Sequence, residues 1–220
     1  MQHPIGLTLY FPGDRTLFHA INRFAAHTPW LHEAMLDYAT YGVILFAGLL
    51  LLGWWVARST GDLVKVAAAL WAPAGMLLAV GLNQFLVHAF REPRPYTLLS
   101  SHVLVLAHRS SDYSFPSDHA VMAGAVAAGL VLVSRRLGLV AVAAALLLAF
   151  ARVYIGAHWP GDVIVGLLWG AVIALVGFKV LERPLVALVG YLVRTPLRPV
   201  LVARAGATEE PVSAGTGRTG

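Results

Sequence analysis

The chain has 220 residues, of which 58% are hydrophobic and only 12% are charged. Because soluble domains carry about 25% charged residues, this composition excludes an ordinary water-soluble fold and predicts an all-α integral membrane bundle of five or six transmembrane helices. Cysteine is absent, which excludes thiol chemistry, and the net charge of +5 comes from basic residues at the ends of apolar runs, where membrane topology accounts for it without a nucleic-acid partner.

The N-terminal part of the chain contains one amphipathic segment and two clear spans. Residues 1–15 lack the basic start and apolar core of a secretory signal. Residues 16–27 place apolar side chains at helical spacing but are too few to cross a bilayer, which predicts an interfacial helix. The first span is predicted over residues 38–57 and the second over residues 66–87.

Three shorter apolar stretches follow, over residues 120–134, 137–151 and 163–178. Each has fewer than the about 20 residues of a full crossing, so the helix ends must include polar residues. Residues 184–203 alternate arginine, proline and apolar residues, which predicts an interfacial segment, with a sixth crossing as the alternative. We expect one membrane domain over residues 1–204 and a disordered tail over residues 205–220.

Basic residues predict the orientation of the bundle. They follow the first span, link the third and fourth stretches, and follow the fifth, at Arg58, Lys65, Arg135, Arg136, Lys179 and Arg183. The positive-inside tendency assigns these ends to the cytoplasm, so the loops over residues 88–116 and 152–162 share the extracytoplasmic face. Arg91 and Arg94 lie in the first of these loops, against the charge bias, which suggests a function for their charge.

The polar segments on this face contain the residue types that phosphate chemistry needs. Arginines are permanently charged, planar donors that suit phosphate oxygens. Ser117 stands directly before an apolar run, which predicts a helix N-cap with free backbone N–H groups beyond it. His158 precedes Asp162 by four residues, so the carboxylate can reach the imidazole and set its tautomer. Such a histidine can attack phosphorus, while His119, on another helix, can protonate the leaving oxygen.

The order and spacing of these residues resemble the type-2 phosphatidic acid phosphatase superfamily of membrane lipid phosphatases. Two of its signatures, Pro-Ser-x-His and an arginine followed by histidine and aspartate, are matched at Pro116, Ser117, His119, Arg152, His158 and Asp162. The remaining signature, a lysine seven residues before an Arg-Pro pair, is matched only at Arg94 and Pro95, because the lysine position is Val87.

The resemblance implies a bundle of about six transmembrane helices that works through a phosphohistidine and without a metal or cofactor. His158 is the implied nucleophile, Asp162 orients it and His119 is the proton donor. The implied phosphate contacts are Arg94, Ser117, His119 and Arg152. For the charge of the missing lysine we choose Arg91, with His88 and Gln84 as alternatives.

The pair Asn83 and Gln84, ahead of Arg-Pro, resembles the branch of the family that dephosphorylates undecaprenyl diphosphate, the carrier of bacterial wall synthesis. This predicts hydrolysis of that lipid at the outer face of a bacterial plasma membrane. The alternatives are a phosphatidic acid or phosphatidylglycerophosphate phosphatase of the same family, a phosphotransferase, a metal hydrolase and a non-enzymatic anion transporter. The sequence shows no H-E-x-x-H motif and no internal repeat of the kind many transporters have. It leaves the oligomeric state open.

Overall fold

The computed structural model describes residues 11–99 and 103–203, and these residues form helices joined by turns and loops, without a strand. The helices are α1 (Asp14–His27), α2 (His32–Thr60), α3 (Leu63–Phe90), α4 (Pro95–Leu98), α5 (Asp118–Val133), α6 (Arg135–Tyr154), α7 (Pro160–Leu192) and α8 (Arg198–Leu201). A short 3-10 turn, Pro29–Leu31, joins α1 to α2. The predicted disordered tail over residues 205–220 lies outside the described residues.

Four helices, α2, α3, α6 and α7, are long and apolar enough to cross a membrane. The all-α membrane bundle predicted from composition is thereby confirmed. Helix α5 has only 16 residues, but nearly all of them are buried, and it packs against α3, α6 and α7. Since α5 is surrounded by other helices, its short length does not expose polar backbone to lipid. The interfacial segment predicted before the first span is also a helix, α1, which buries Phe18, Asn22 and Ala25.

Glycines allow the backbones of α5 and α7 to approach closely. A Cβ atom added at Gly170 would lie 2.0 Å from the carbonyl oxygen of Val121, and one added at Gly124 would lie 2.2 Å from that of Leu167. Gly166 also lies close to the start of α5, where a Cβ would lie 2.9 Å from the Ser117 carbonyl oxygen. The small residues of α7 therefore make a contact within one chain, of the kind that small-xxx-small spacing permits.

The two ends of the bundle differ in their polar groups. At the end where α2 meets α3, the Arg58 side chain donates from Nε to the Pro199 carbonyl oxygen at 2.8 Å. The Arg58 guanidinium also lies 5.3 Å from the ring centroid of Trp55. At the opposite end, α3 and α6 finish and α5 and α7 begin. The two polar loops predicted to share one face do meet at this second end.

One prediction about the C-terminal part is wrong. Helix α7 does not end near residue 178 but continues through Pro184 to Leu192, for 33 residues or about 50 Å. A proline inside a helix removes only one intrahelical donor, and the continued helix buries Val189 in a cluster with Ala57 and Val66. After α7 the chain turns and forms only the four-residue α8, so no sixth crossing occurs before residue 203.

The close approach of α5 and α7 gives a stability prediction. We expect Gly170→Ala to push the two helices apart and lower the free energy of unfolding by about 1–3 kcal/mol, because the added methyl group meets rigid backbone. The thermal midpoint of the detergent-solubilised protein measures this change. Gly48→Ala is the matched control, since no atom lies within 4 Å of its added Cβ. Equal midpoints for the two variants would contradict this account of the packing.

Candidate active site

A cavity of about 710 Å³ opens at the end of the bundle where α5 begins. Of the residues predicted to act on phosphate, four line it: Arg94, His119, Arg152 and His158. Two more, Ser117 and Asp162, are buried. Arg91 is not among the lining residues. The cavity therefore brings together side chains that lie up to 64 positions apart in the chain.

His158 lies at the centre of this arrangement and is only 3% exposed. It follows a turn at Gly156, whose φ of 76° is in the left-handed region that favours glycine. Its Nδ1 atom lies 2.9 Å from the backbone carbonyl oxygen of Ser114, which can only accept, so Nδ1 carries the proton. Its Nε2 atom lies 3.2 Å from Nη1 of Arg94 and 3.2 Å from Nη2 of Arg152, which can only donate. The lone pair of Nε2 thus faces the two arginines.

The charge state of His158 agrees with this hydrogen bonding. Burial lowers the pKa of the imidazole well below its ordinary value, and the charges of Arg152 and Arg94 lower the pKa further. The hydrogen bond to the Ser114 carbonyl acts in the opposite direction but is the smaller effect. The ring is therefore neutral near pH 7, and its Nε2 lone pair is available to an electrophile.

Asp162 lies within ion-pair distance of His158, as their spacing predicts, but it is not the nearest partner of the ring. Its Oδ2 atom lies 3.4 Å from Nδ1 of His158, and it accepts the backbone N–H of Trp159 at 2.8 Å and the hydroxyl group of Ser114. The direct partner of Nδ1 is the Ser114 carbonyl group. Ser114 was missed because a lone serine gives no signal in the sequence beyond its place three residues before Ser117.

Both arginines are held by backbone carbonyl groups. Arg94 donates from Nε to the Asp112 carbonyl at 3.0 Å and from Nη1 to the Ala157 carbonyl at 3.1 Å. Arg152 donates from Nη1 to the Ala39 carbonyl at 3.3 Å, and its buried Nε has no partner in the described part of the chain. Carbonyl groups orient the guanidinium groups without neutralising them, so both positive charges remain available to an anion.

The start of α5 supplies further donors. Ser117 is the N-cap, as predicted, with extended φ and ψ of −68° and 118°. Its side chain makes no capping hydrogen bond, and within residues 11–99 and 103–203 the buried Oγ atom has no partner. Leaving a buried hydroxyl group unpaired costs about 1–3 kcal/mol, which a bound anion would offset. His119 follows in the first turn of α5 and lines the cavity.

Asn83 and Gln84 donate hydrogen bonds to Asp118, a residue to which the sequence pattern assigns no role. The Oδ1 atom of Asp118 accepts from Nδ2 of Asn83 at 2.7 Å and from Nε2 of Gln84 at 3.0 Å. Asn83 is completely buried and also donates to the Pro116 carbonyl at 3.1 Å, so it ties α3 to the start of α5. The amide pair thus holds the Asp118 carboxylate beside His119 at the edge of the cavity.

The structure separates the three candidates for the missing lysine charge. Val87, at the lysine position, lines the cavity together with Gln84 and His88. Arg91 ends α3 in a left-handed conformation with φ of 49°, is exposed, and donates from Nε to the His88 carbonyl at 3.1 Å. Our choice of Arg91 therefore has no support from its position, because the end of the helix turns its side chain out of the cavity.

The histidines of the described residues do not form a metal-binding group. Among residues 11–99 and 103–203, no three His, Asp or Glu side chains are grouped so that they could hold a metal ion. His88 and His108 both line the cavity, and His102 lies outside the described residues.

A loop formed by residues 103–113 builds one wall of the cavity. The side chain of Asn22 on α1 holds it, since Nδ2 donates to the Leu104 carbonyl at 2.7 Å and Oδ1 accepts the Leu104 N–H at 3.0 Å. The N–H groups of Leu106 and Ala107 both donate to the Ile155 carbonyl, at 3.0 and 3.2 Å. The helix predicted to lie at the membrane interface therefore supports the active-site wall.

These features define an integral membrane phosphatase. The sequence model described as the PAP2 superfamily matches residues 68–184, and the chain belongs to this superfamily. It is 29% identical over 175 residues to undecaprenyl-diphosphatase BcrC of Bacillus subtilis strain 168, which covers 79% of this chain and 88% of that protein.

Two solved structures share the fold. The crystal structure of Aquifex aeolicus LpxE superposes with a TM-score of 0.57 at 26% identity, over 80% of this chain and 99% of that one. That of a transmembrane PAP2-type phosphatidylglycerolphosphate phosphatase from Bacillus subtilis gives a TM-score of 0.54 at 23% identity, over 78% and 88%.

The double hydrogen bond of Asn22 gives a prediction about the cavity wall. We expect Asn22→Ala to raise the hydrogen-exchange rate of the Leu104 amide by at least about tenfold, because two part-buried hydrogen bonds worth about 0.5–1.5 kcal/mol each are lost. Amide exchange followed by mass spectrometry measures the change. Arg23→Ala, on the exposed side of the same helix, should leave that amide protected. Unchanged exchange in Asn22→Ala would show that other contacts hold the loop.

Proposed function

We propose that this phosphatase hydrolyses undecaprenyl diphosphate, releasing its terminal phosphate through a phosphohistidine at His158. The observation that carries the proposal is the position of Nε2 of His158, 3.2 Å from both Arg94 and Arg152 with the ring proton held on Nδ1. The similarity to a protein named undecaprenyl-diphosphatase over most of both chains supports the choice of lipid.

In the first step the terminal phosphoryl group binds between the two guanidinium groups and the hydroxyl group of Ser117. The Nε2 atom attacks phosphorus in line with the bridging oxygen, a nitrogen–phosphorus bond forms, and the bond from phosphorus to that oxygen breaks. His119 gives a proton to the leaving lipid monophosphate. The arginines stabilise the negative charge on the three equatorial oxygens, which is the main catalytic requirement of phosphoryl transfer.

In the second step His119 acts as a base. It takes a proton from a water molecule, whose oxygen attacks phosphorus, and the nitrogen–phosphorus bond breaks to release inorganic phosphate. The lone pair returns to Nε2 of His158. Throughout the cycle Nδ1 keeps its proton, and Asp162, 3.4 Å away, favours the positive charge that the phosphorylated ring carries.

No metal or cofactor is assigned to either step. Two guanidinium groups already supply the positive charge at the phosphoryl group, and they would repel a divalent cation bound beside them. We assign the further anion contact, which the family lysine would make, to His88. It lines the cavity next to Val87, whereas Arg91 does not, and Nε2 of Gln84 already donates to Asp118.

We place the site on the extracytoplasmic face of a bacterial plasma membrane. The support is the basic residues at the opposite end of the bundle, such as Arg58, Lys65 and Arg135, which the positive-inside tendency assigns to the cytoplasm. Undecaprenyl diphosphate is left on the outer leaflet, so this orientation brings the cavity to the leaflet where the substrate is found.

Phosphate release tests the substrate and the nucleophile together. We expect purified protein to release phosphate from undecaprenyl diphosphate faster than from phosphatidic acid or phosphatidylglycerophosphate, with EDTA present. His158→Ala should abolish release from all three lipids. Preference for a glycerolipid would replace the proposed substrate, and loss of activity with EDTA would replace the proposed mechanism. A folded protein inactive on every lipid would favour an anion transporter.

The two roles of His119 predict a dependence on the leaving group. We expect His119→Gln to slow hydrolysis of the lipid diphosphate by about 10²–10⁴-fold, because its leaving group needs a proton. With p-nitrophenyl phosphate, whose leaving group needs none, the first step should be spared. The phosphoenzyme should then accumulate, and it can be detected as acid-labile bound phosphate. Equal losses on both substrates without a phosphoenzyme would contradict the assignment of His119.

A further inference from the structure

All three polar groups of Ser114 make hydrogen bonds within the active site. Its backbone N–H donates to the Glu92 carbonyl at 2.8 Å, its carbonyl accepts from Nδ1 of His158 at 2.9 Å, and its hydroxyl group donates to Oδ2 of Asp162. The side chain is completely buried. Ser114 therefore joins the loop after α3, the nucleophile and the start of α7 at one point.

The carbonyl group of Ser114 sets the tautomer of His158. The spacing of His158 and Asp162 predicts this role for the carboxylate instead. It lies 2.9 Å from Nδ1, against 3.4 Å for Oδ2 of Asp162. Because a carbonyl oxygen has no proton to give, its presence alone requires the proton to be on Nδ1. The tautomer that makes His158 a nucleophile would therefore persist without Asp162.

The hydroxyl group of Ser114 has a separate effect, on Asp162. That carboxylate is only 1% exposed, and the N–H of Trp159 and the hydroxyl of Ser114 both donate to Oδ2. Donors of this kind stabilise an ionised carboxylate in a buried position. They also place Oδ2 near Nδ1, where its charge acts on the phosphorylated ring rather than on the resting one.

We propose that Ser114 is a positioning residue of the phosphatase, whose carbonyl group fixes the tautomer of His158 and whose hydroxyl group holds Asp162 beside that ring. The inference rests on the proposed role of His158 as nucleophile. In this arrangement two groups act on the nucleophile, the uncharged carbonyl group of Ser114 and the charged carboxylate of Asp162. The carbonyl group keeps the proton on Nδ1 before the attack, and the carboxylate stabilises the phosphorylated ring that the attack produces.

A double-mutant cycle tests this division. In wild-type background we expect Ser114→Ala to lower kcat by about 10- to 100-fold with little change in KM, because a hydrogen bond to a charged group is lost. In an Asp162→Ala background the same change should have almost no further effect, since the hydroxyl group has nothing left to hold. Asp162→Ala should itself retain measurable activity, whereas His158→Ala should not.

Other outcomes would overturn the proposal. Losses that multiply in the double variant would show that Ser114 acts only through general stability. An unchanged kcat in Ser114→Ala would show that its hydroxyl group does not position Asp162. If Ser114→Ala does not fold, Ser114→Cys keeps the volume with a weak donor and should show the same loss, while Ser114→Thr keeps the hydroxyl group and should restore activity. Ser59→Ala, which removes a hydroxyl group at the other end of the bundle, is the control.

The substrate for these measurements is whichever lipid or p-nitrophenyl ester the wild-type protein hydrolyses. Failure of the proposed function would appear as an inactive wild type or as an active His158→Ala variant. Failure of the inference about Ser114 would appear as an active wild type, an inactive His158→Ala variant and multiplicative losses in the cycle. The two failures are therefore distinguishable.

Discussion

The active site depends on one physical constraint. Two positively charged guanidinium groups lie against the same nitrogen atom of a histidine and repel each other. Arg94 and Arg152 both reach Nε2 of His158, and the partners that hold them are neutral carbonyl groups of Asp112, Ala157 and Ala39. In a poorly polarisable surrounding such an arrangement is unfavourable until an anion enters. A bound anion would therefore relieve the repulsion between the two guanidinium groups.

The bundle holds this arrangement by surrounding one short helix. Helix α5 is packed on several sides and its N-terminus, with Asp118 and His119, forms part of the cavity. The glycines of α7 let the two backbones touch, which fixes the distance between the start of α5 and the loop that carries His158. Packing deep in the bundle is therefore coupled to the geometry of the proposed proton donor and nucleophile, since neither helix can shift without moving one of these groups.

The departure from the family signature at Val87 has a structural counterpart. Where a lysine would bring charge into the cavity, this chain has an apolar side chain between Gln84 and His88, and a carboxylate at Asp118 held by two amide groups. The cavity edge beside His119 is therefore less positive than the signature implies.

The amino-acid sequence is enough to predict the membrane bundle, the approximate positions of its spans and six of the seven residues named for the site, of which four line the cavity and two are buried. These follow from composition, from apolar segment length and from short spacings, which are properties of neighbouring residues. The folded chain is needed to see that Arg91 faces away from the cavity, that α7 runs on to Leu192 and that the Ser114 carbonyl group is the nearest partner of His158. Those outcomes depend on hydrogen bonds and packing between segments that are distant along the chain, such as the 44 positions between Ser114 and His158, and no local pattern carries information about such contacts.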